Sequence, residues 1–413
     1  MSLAACAGPS ALRPARSGDV AALRAALDAD LRAGRLTRSA VGDIAEALAS
    51  HELQSAKGND ALQRVQQVRS CARHLQDGLV ERTKGTDLAA PEAALILEQS
   101  HLTDFDKWRA RSADPDPMWR AVGVRTLTDP ESANQRRAAM LDPDENVRLA
   151  AVRAAEDARD AGDGAQLIDV ARLDPNALVR VTAVRALGQL GSPEMVLRLK
   201  DMMTNGSDAV RQSIVVAWSW PGMLEAGGQR ELILIAETGK DEAAVLAGGI
   251  LLRLGAETRG TGISTLLKHI DGSAARARVL AISLAPIDDP AVRQAVSKLS
   301  TTPDPEVKLA ALTSLARDPA ERAKALDGIG SLAASSLPVA AKAKATMARL
   351  GDARVTALLL KDGESKVAET RVDAARGLIE LGDIARAAMF LADADAGVRT
   401  RTACQILVAS ERW

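Results

Sequence analysis

Carboxylates crowd the turns of this chain. Asp114 and Asp116, Asp142 and Asp144, Asp288 and Asp289, and Asp393 and Asp395 stand in pairs one or two residues apart. Oxygens so spaced could hold a calcium ion, but the loops lack the Gly and Glu of a 12-residue calcium site. Capping of helix N-termini accounts for them without a metal, because a short acidic side chain accepts a bond from a free N–H of the first turn. The four histidines (His51, His74, His101 and His269) stand alone, none at i, i+3 or i, i+4 from another. A metal site would need distant convergence, and each histidine reads as a partly exposed helix residue. Cys6, Cys71 and Cys404 show no CxxC spacing, so a disulfide framework or a zinc site is not expected. Cys71 and Cys404 read as small buried hydrophobes. The phosphate-loop, dinucleotide, nucleophile-elbow and HExxH patterns are missing from the sequence. The chain therefore reads as a non-enzyme with no catalytic residue, cofactor or metal.

One chemistry-bearing residue does recur. A basic residue, most often after Val, follows an acidic or turn-forming start, and aligning the copies gives Arg120, Arg148, Arg180, Arg211, Ala244, Ala277, Lys308, Ala340, Arg371 and Arg399. The gaps run from 28 to 33 residues, the period of helical repeat arrays. Two roles fit the arginine. It can bond to the Asp of a neighbouring turn, making a ladder along a stack, or it can form a basic track for an acidic partner. Three alanine copies interrupt such a track and favour the ladder. Under the second role Arg148, Arg180 and Arg211 are interaction anchors. Trp218 and Trp220 join them as candidates, because Trp is favoured at binding hot spots. Two residues apart on a helix, the two rings face different directions, so one packs inside and the other stays near the surface.

The elements that must position these residues are helices. In the third copy Asp174-Pro175-Asn176 supplies a turn and a cap, and Val179, Ala183, Leu187 and Leu190 make one apolar face. Gly191 stands where a left-handed C-cap is wanted. Pro193 to Met203 forms a second, shorter helix, and Asn205-Gly206 turns the chain back. Such a pair buries its apolar face only against the next pair. The reading is all-α: an α-solenoid of about ten stacked helix pairs over residues 113–413. Residues 18–112 form a helical N-terminal cap region and 1–17 a flexible tether. Within the cap, helices are expected from Asp19 to Ala33, from Thr37 to Leu53, from Asn59 toward Arg82, and from Pro91 to Trp108. The C-terminal end of the array is expected to carry little cover.

This pattern resembles the HEAT family, in particular its short subclass related to bilin-lyase repeats. The resemblance rests on the Asp-Pro-Asp/Asn, Val-Arg and Ala-Leu-x-x-Leu-Gly elements of 142–151 and 174–191. Pro303-Asp304-Pro305-Glu306-Val307-Lys308 and Asp395-Ala396-Gly397-Val398-Arg399 repeat them. It implies the fold and an interaction scaffold; bilin-lyase activity is not implied. The copies between 240 and 290 and near 340 depart from the pattern and are expected to be irregular.

Composition narrows the partner. Lys plus Arg total 53 against 54 for Asp plus Glu, a net charge of −1 that argues against a dedicated nucleic-acid binder. With 2 Phe, 5 Trp and no Tyr, the core must be built from Ala, Leu, Val and Ile. No apolar run of membrane-spanning length occurs. Leu3-Ala4-Ala5-Cys6 resembles the bacterial lipobox, although only five residues precede Cys6. The resemblance implies lipidation of Cys6, a membrane contact through that anchor alone, and the periplasmic side of the cell envelope. An accidental match would leave a cytoplasmic protein. The expected function is a non-catalytic scaffold for an unknown protein or peptide. The rival is a small-ligand, nucleic-acid-binding or enzymatic repeat protein using the concave face.

Overall fold

A computed structural model describes residues 9–102, 106–272 and 274–411. Every regular element among them is helical, and no strand occurs among the described residues. The chain divides into two compact units, residues 105–325 and residues 1–104 together with 326–413.

In the 105–325 unit the acidic turns do what their spacing predicts. Asp144 Oδ1 accepts the N–H groups of Asn146 at 2.8 Å and Val147 at 3.4 Å, opening the helix Glu145–Ala158. Asn176 does the same for Leu178 and Val179 at the start of Ala177–Leu190. Asp304 opens Pro305–Leu315 by bonding Glu306 and Val307. Each cap satisfies donors that the helix itself cannot reach. Val147, Val179 and Val307, the residues before the basic position, are all buried. Val179, Ala183 and Leu187 point into one cluster with Val147, Ala151, Ile214 and Trp218. Gly191 ends the third-copy helix with φ 58°, and a Cβ there would stand 3.0 Å from the Gly222 Cα, so both conformation and space require glycine.

The irregular copies are still helix pairs. Glu242–Leu254 lies against Ala256–Gly272 at a separation only small residues allow, since a Cβ on Gly262 would come 2.8 Å from the Gly248 carbonyl oxygen. Ala244 and Ala277 are both buried.

The second unit corrects several expectations. Residues 9–17 belong to packed structure rather than to a tether: Leu12–Ser17 is helical, Ala11 and Ala15 are fully buried, and Ala11 N–H donates to Asp30 Oδ2 at 3.1 Å. The helices Val20–Arg32 and Arg38–Ser55 start at Asp19 and Thr37, whose side chains cap them. The single long helix expected from Asn59 to Arg82 is broken into Gly58–Gln67, a 3-10 stretch Arg69–Leu75, and Gln76–Arg82. The fourth helix ends at Gln99, and Trp108 belongs to a separate 3-10 segment, Asp106–Ala113.

The last repeat helix, Ala396–Ser410, is covered. Arg38–Ser55 packs along it, and Arg399 Nε donates to Glu52 Oε1 at 2.6 Å in a buried contact. Cys404 of that helix forms a disulfide with Cys71, with a Cα–Cα distance of 5.3 Å. Two corrections follow: these cysteines are bonded to each other, and the C-terminal repeat is capped by the N-terminal segment. A cross-link spanning 333 residues restricts the unfolded chain strongly. Reduction, or Cys404→Ser, is therefore expected to lower the unfolding free energy by about 2–5 kcal/mol. Urea denaturation with and without reductant reads this directly; coincident curves would count against the bond.

Candidate interaction surface

At Arg120, Arg148, Arg180, Arg371 and Arg399 the basic side chain reaches back from the first turn of its helix to the carbonyls of the loop before it. Arg120 Nη1 donates to the carbonyls of Asp114 at 2.7 Å and Pro115 at 3.2 Å. Its other edge grips the next loop, Nε to Asp142 Oδ2 at 2.8 Å and Nη2 to Oδ1 at 3.1 Å. Arg148 repeats the arrangement with the carbonyls of Asp142 and Pro143 on one side and both oxygens of Asp174 on the other, at 2.7 and 3.2 Å. In the other unit Arg371 holds the Ser365 carbonyl and both oxygens of Asp393, at 2.7 and 2.9 Å. The first aspartate of each loop also stiffens its own turn, as Asp142 Oδ1 accepts Asp144 N–H at 2.9 Å. Paired, planar contacts of this kind are the stronger class of hydrogen bond.

The electrostatics follow. Burial pulls Asp142 upward, but the Arg120 guanidinium and the Asp144 N–H outweigh it and hold the carboxyl below its usual value. Asp393 is likewise held low against burial by Arg371 and the Asp395 N–H. The arginines move the other way: bonding to Asp142, Asp174 and Asp393 raises Arg120, Arg148 and Arg371.

Not every anchor candidate is available to a partner. Arg148 is engaged on both edges, and Arg211 pairs with Asp208 at 2.6 Å and Asp241 at 2.8 Å. Arg180 differs: its Nη1 meets the carbonyls of Asp174 at 2.6 Å and Pro175 at 3.1 Å, and it has no carboxylate partner among the described residues. Trp218 is fully buried in the core and so presents no surface, whereas Trp220 is half-buried with its ring against Gly188. Cys6 lies outside the described residues. His269 is buried rather than partly exposed, and burial, with Lys268 nearby, pushes its pKa down. Among the described residues no cluster of three or more His, Cys, Asp or Glu side chains could hold a metal ion.

Two contacts escape the motif. Asp289 caps the helix Pro290–Leu299, and Arg293 meets the Ile287 carbonyl at 3.2 Å and Asp318 at 3.2 Å. Asp289-Pro290-Ala291-Val292-Arg293 is a further copy, out of step with the alignment through Ala277 because it opens a second helix. Arg136 and Asp163 are both fully buried and pair at 2.7 Å. Arg136 lacks the Val before it, so only its distance of 27 residues from Asp163 could have hinted at the bond.

Residues 136–219 match the family model for HEAT repeats. No curated protein matches the chain. Solved structures resemble it distantly. An engineered protein is 20% identical, covering 84% of this chain and 96% of its own, with TM-score 0.29. The CpcE–CpcF complex of phycocyanin lyase from Nostoc sp. PCC7120 is 16% identical over 62% of this chain and 92% of its own, with TM-score 0.30. Kap121p bound to Pho4p is 15% identical over 92% of this chain and 49% of its own, with TM-score 0.36. The chain thus spans about half the length of that karyopherin, and at these scores none of the three bears on function.

The lowered carboxyls set a pH dependence. A group whose folded pKa lies below its unfolded value stabilises the fold above the unfolded value, near 3.8, and loses that contribution as pH falls through the folded one. Asp142→Asn is expected to cost about 1–3 kcal/mol at neutral pH. The gap from the native chain should narrow as pH falls below about 3.8 and through the lowered folded pKa of Asp142, as read by urea midpoints at each pH. A gap that persists in acid would mean that shape rather than charge matters there.

Proposed function

We propose that this protein is a non-catalytic scaffold whose helical repeats hold a protein or peptide partner at the loop edge of the stack. What carries the reading is a pair of large apolar side chains left out of the core at equivalent places. Leu141 is 68% and Leu173 77% exposed, each immediately before the ladder aspartate of its loop. A single exposed leucine is ordinary; the same exposure at matching positions of successive repeats makes a line that an extended partner can follow. The HEAT-repeat match over 136–219 covers both residues and supports the same class of role.

The compartment is part of the proposal. The Cys71–Cys404 disulfide suits an oxidising location, since cytosolic thiols are generally kept reduced. That agrees with the lipobox resemblance of Leu3-Ala4-Ala5-Cys6 and with the periplasmic side of a bacterial envelope. No helix among the described residues is long and apolar enough to cross a membrane, so attachment would go through an acylated Cys6.

Two measurements test this. Growth with an alkyne fatty acid should label the native chain and not Cys6→Ser; equal labelling would remove the anchor. Cross-linking in cells should capture a partner whose yield falls severalfold when Leu141 and Leu173 are both changed to Glu. An unchanged yield would end the claim for the loop edge.

A further inference from the structure

Among the described residues, Arg180 alone of the arginines at the ladder position lacks a carboxylate partner, and the chemistry of its rung says what closes it. In the complete rungs the gripping carboxylate stands six residues before the next arginine: Asp142 before Arg148, Asp174 before Arg180, and Asp393 before Arg399. The same count from Arg211 leads to Asn205. A neutral amide thus replaces the acid that should meet Arg180, and this arginine has no ion pair among the described residues. Its inner nitrogen keeps the two carbonyl bonds of the complete rungs, so the guanidinium stays held in place.

The arginine borders an open cavity of about 440 Å³, with Arg172, Asp201, Asn205 and Ser207 around it. Arg172 and Asp201 likewise have no ion pair among the described residues. Two guanidinium groups against one carboxylate leave the cavity with a single positive charge. Exposed Leu173 follows Arg172 directly in the chain.

We infer that the Arg180 cavity receives one carboxylate group from a partner peptide, taking the place that aspartate fills in the complete rungs. The vacant edge is the one that elsewhere holds both oxygens of an aspartate, which matches the planar geometry of a carboxylate. The single net charge suits a monoanion, and Asp201 disfavours a phosphate dianion by like-charge repulsion. The carboxylate can come from an Asp or Glu side chain or from a chain terminus. The inference rests on the interaction-scaffold reading and names the chemistry of its partner.

Fluorescence anisotropy at low ionic strength tests it with two labelled peptides. One carries a single internal Asp beside Leu and an amidated end; the other has no acidic side chain and a free C-terminal carboxyl. At least one should bind, and the one that does identifies the source. Asn205→Asp supplies the missing acid internally, so it should weaken binding about tenfold or more and raise the thermal midpoint. Asn205→Ala adds no charge and should weaken binding far less than Asn205→Asp. Thr204→Asp adds the same charge one residue out of register and should weaken binding less than Asn205→Asp. Arg180→Ala, with its helicity checked by circular dichroism, should also lose binding. The inference is overturned if neither peptide binds, if Asn205→Asp and Asn205→Ala behave alike, or if inorganic phosphate displaces the peptide better than acetate does. A partner captured through Leu141 and Leu173 but indifferent to Arg180 and Asn205 would sink this inference and leave the scaffold reading standing.

Discussion

A guanidinium closing on the loop of the next repeat is the contact on which this architecture depends. A helix-to-helix turn leaves carbonyls pointing away from any helix, and such groups are costly to bury without a partner. Arg120, Arg148 and Arg371 answer that need with one nitrogen, then use the opposite edge to grip the following turn. The gripped aspartate stiffens its own loop while a second residue two places on caps the helix. Backbone, cap and neighbour are satisfied by three side chains at fixed spacing. Stacking register is thereby set by polar geometry as well as by apolar packing.

The contact tolerates changes of partner but not of chemistry. Arg293 reaches Asp318 and Arg399 reaches Glu52, so the carboxylate can come from a differently placed element. Where alanine stands, at Ala244 and Ala277, close helix packing takes over: Gly248 and Gly262 let two backbones approach. The scarcity of aromatic residues fits this economy. Small side chains fill narrow spaces, and Trp218, the one wholly buried indole among the described residues, sits in the cluster that joins successive repeats.

The N-terminal segment solves a different problem. A repeat array ends on an apolar helix face with no next repeat to cover it. Here Arg38–Ser55 lies on Ala396–Ser410, Glu52 stands in for the missing loop aspartate, and the Cys71–Cys404 bond ties the Arg69–Leu75 segment to the same helix. The final repeat therefore completes its rung with an acid that belongs to no repeat at all.

Local spacing was enough to read the repeat helices, their caps and the ladder, though not the breaks within the N-terminal helices. Asp144, Asn176 and Asp304 each announce a helix within a few residues, and the six-residue step from aspartate to arginine repeats along the chain. One rung was legible too, as the absence of an acid at Asn205, once geometry had shown what that position does elsewhere. Sequence could not reveal the pairing of Arg136 with Asp163, the cover of Arg399 by Glu52, or the bonding of Cys71 to Cys404. Helix formation answers to neighbours three or four residues away and so leaves a periodic trace. Contacts between residues 27 to hundreds of positions apart obey the packing of completed helices, which leaves no local periodic trace and is decided by tertiary structure alone.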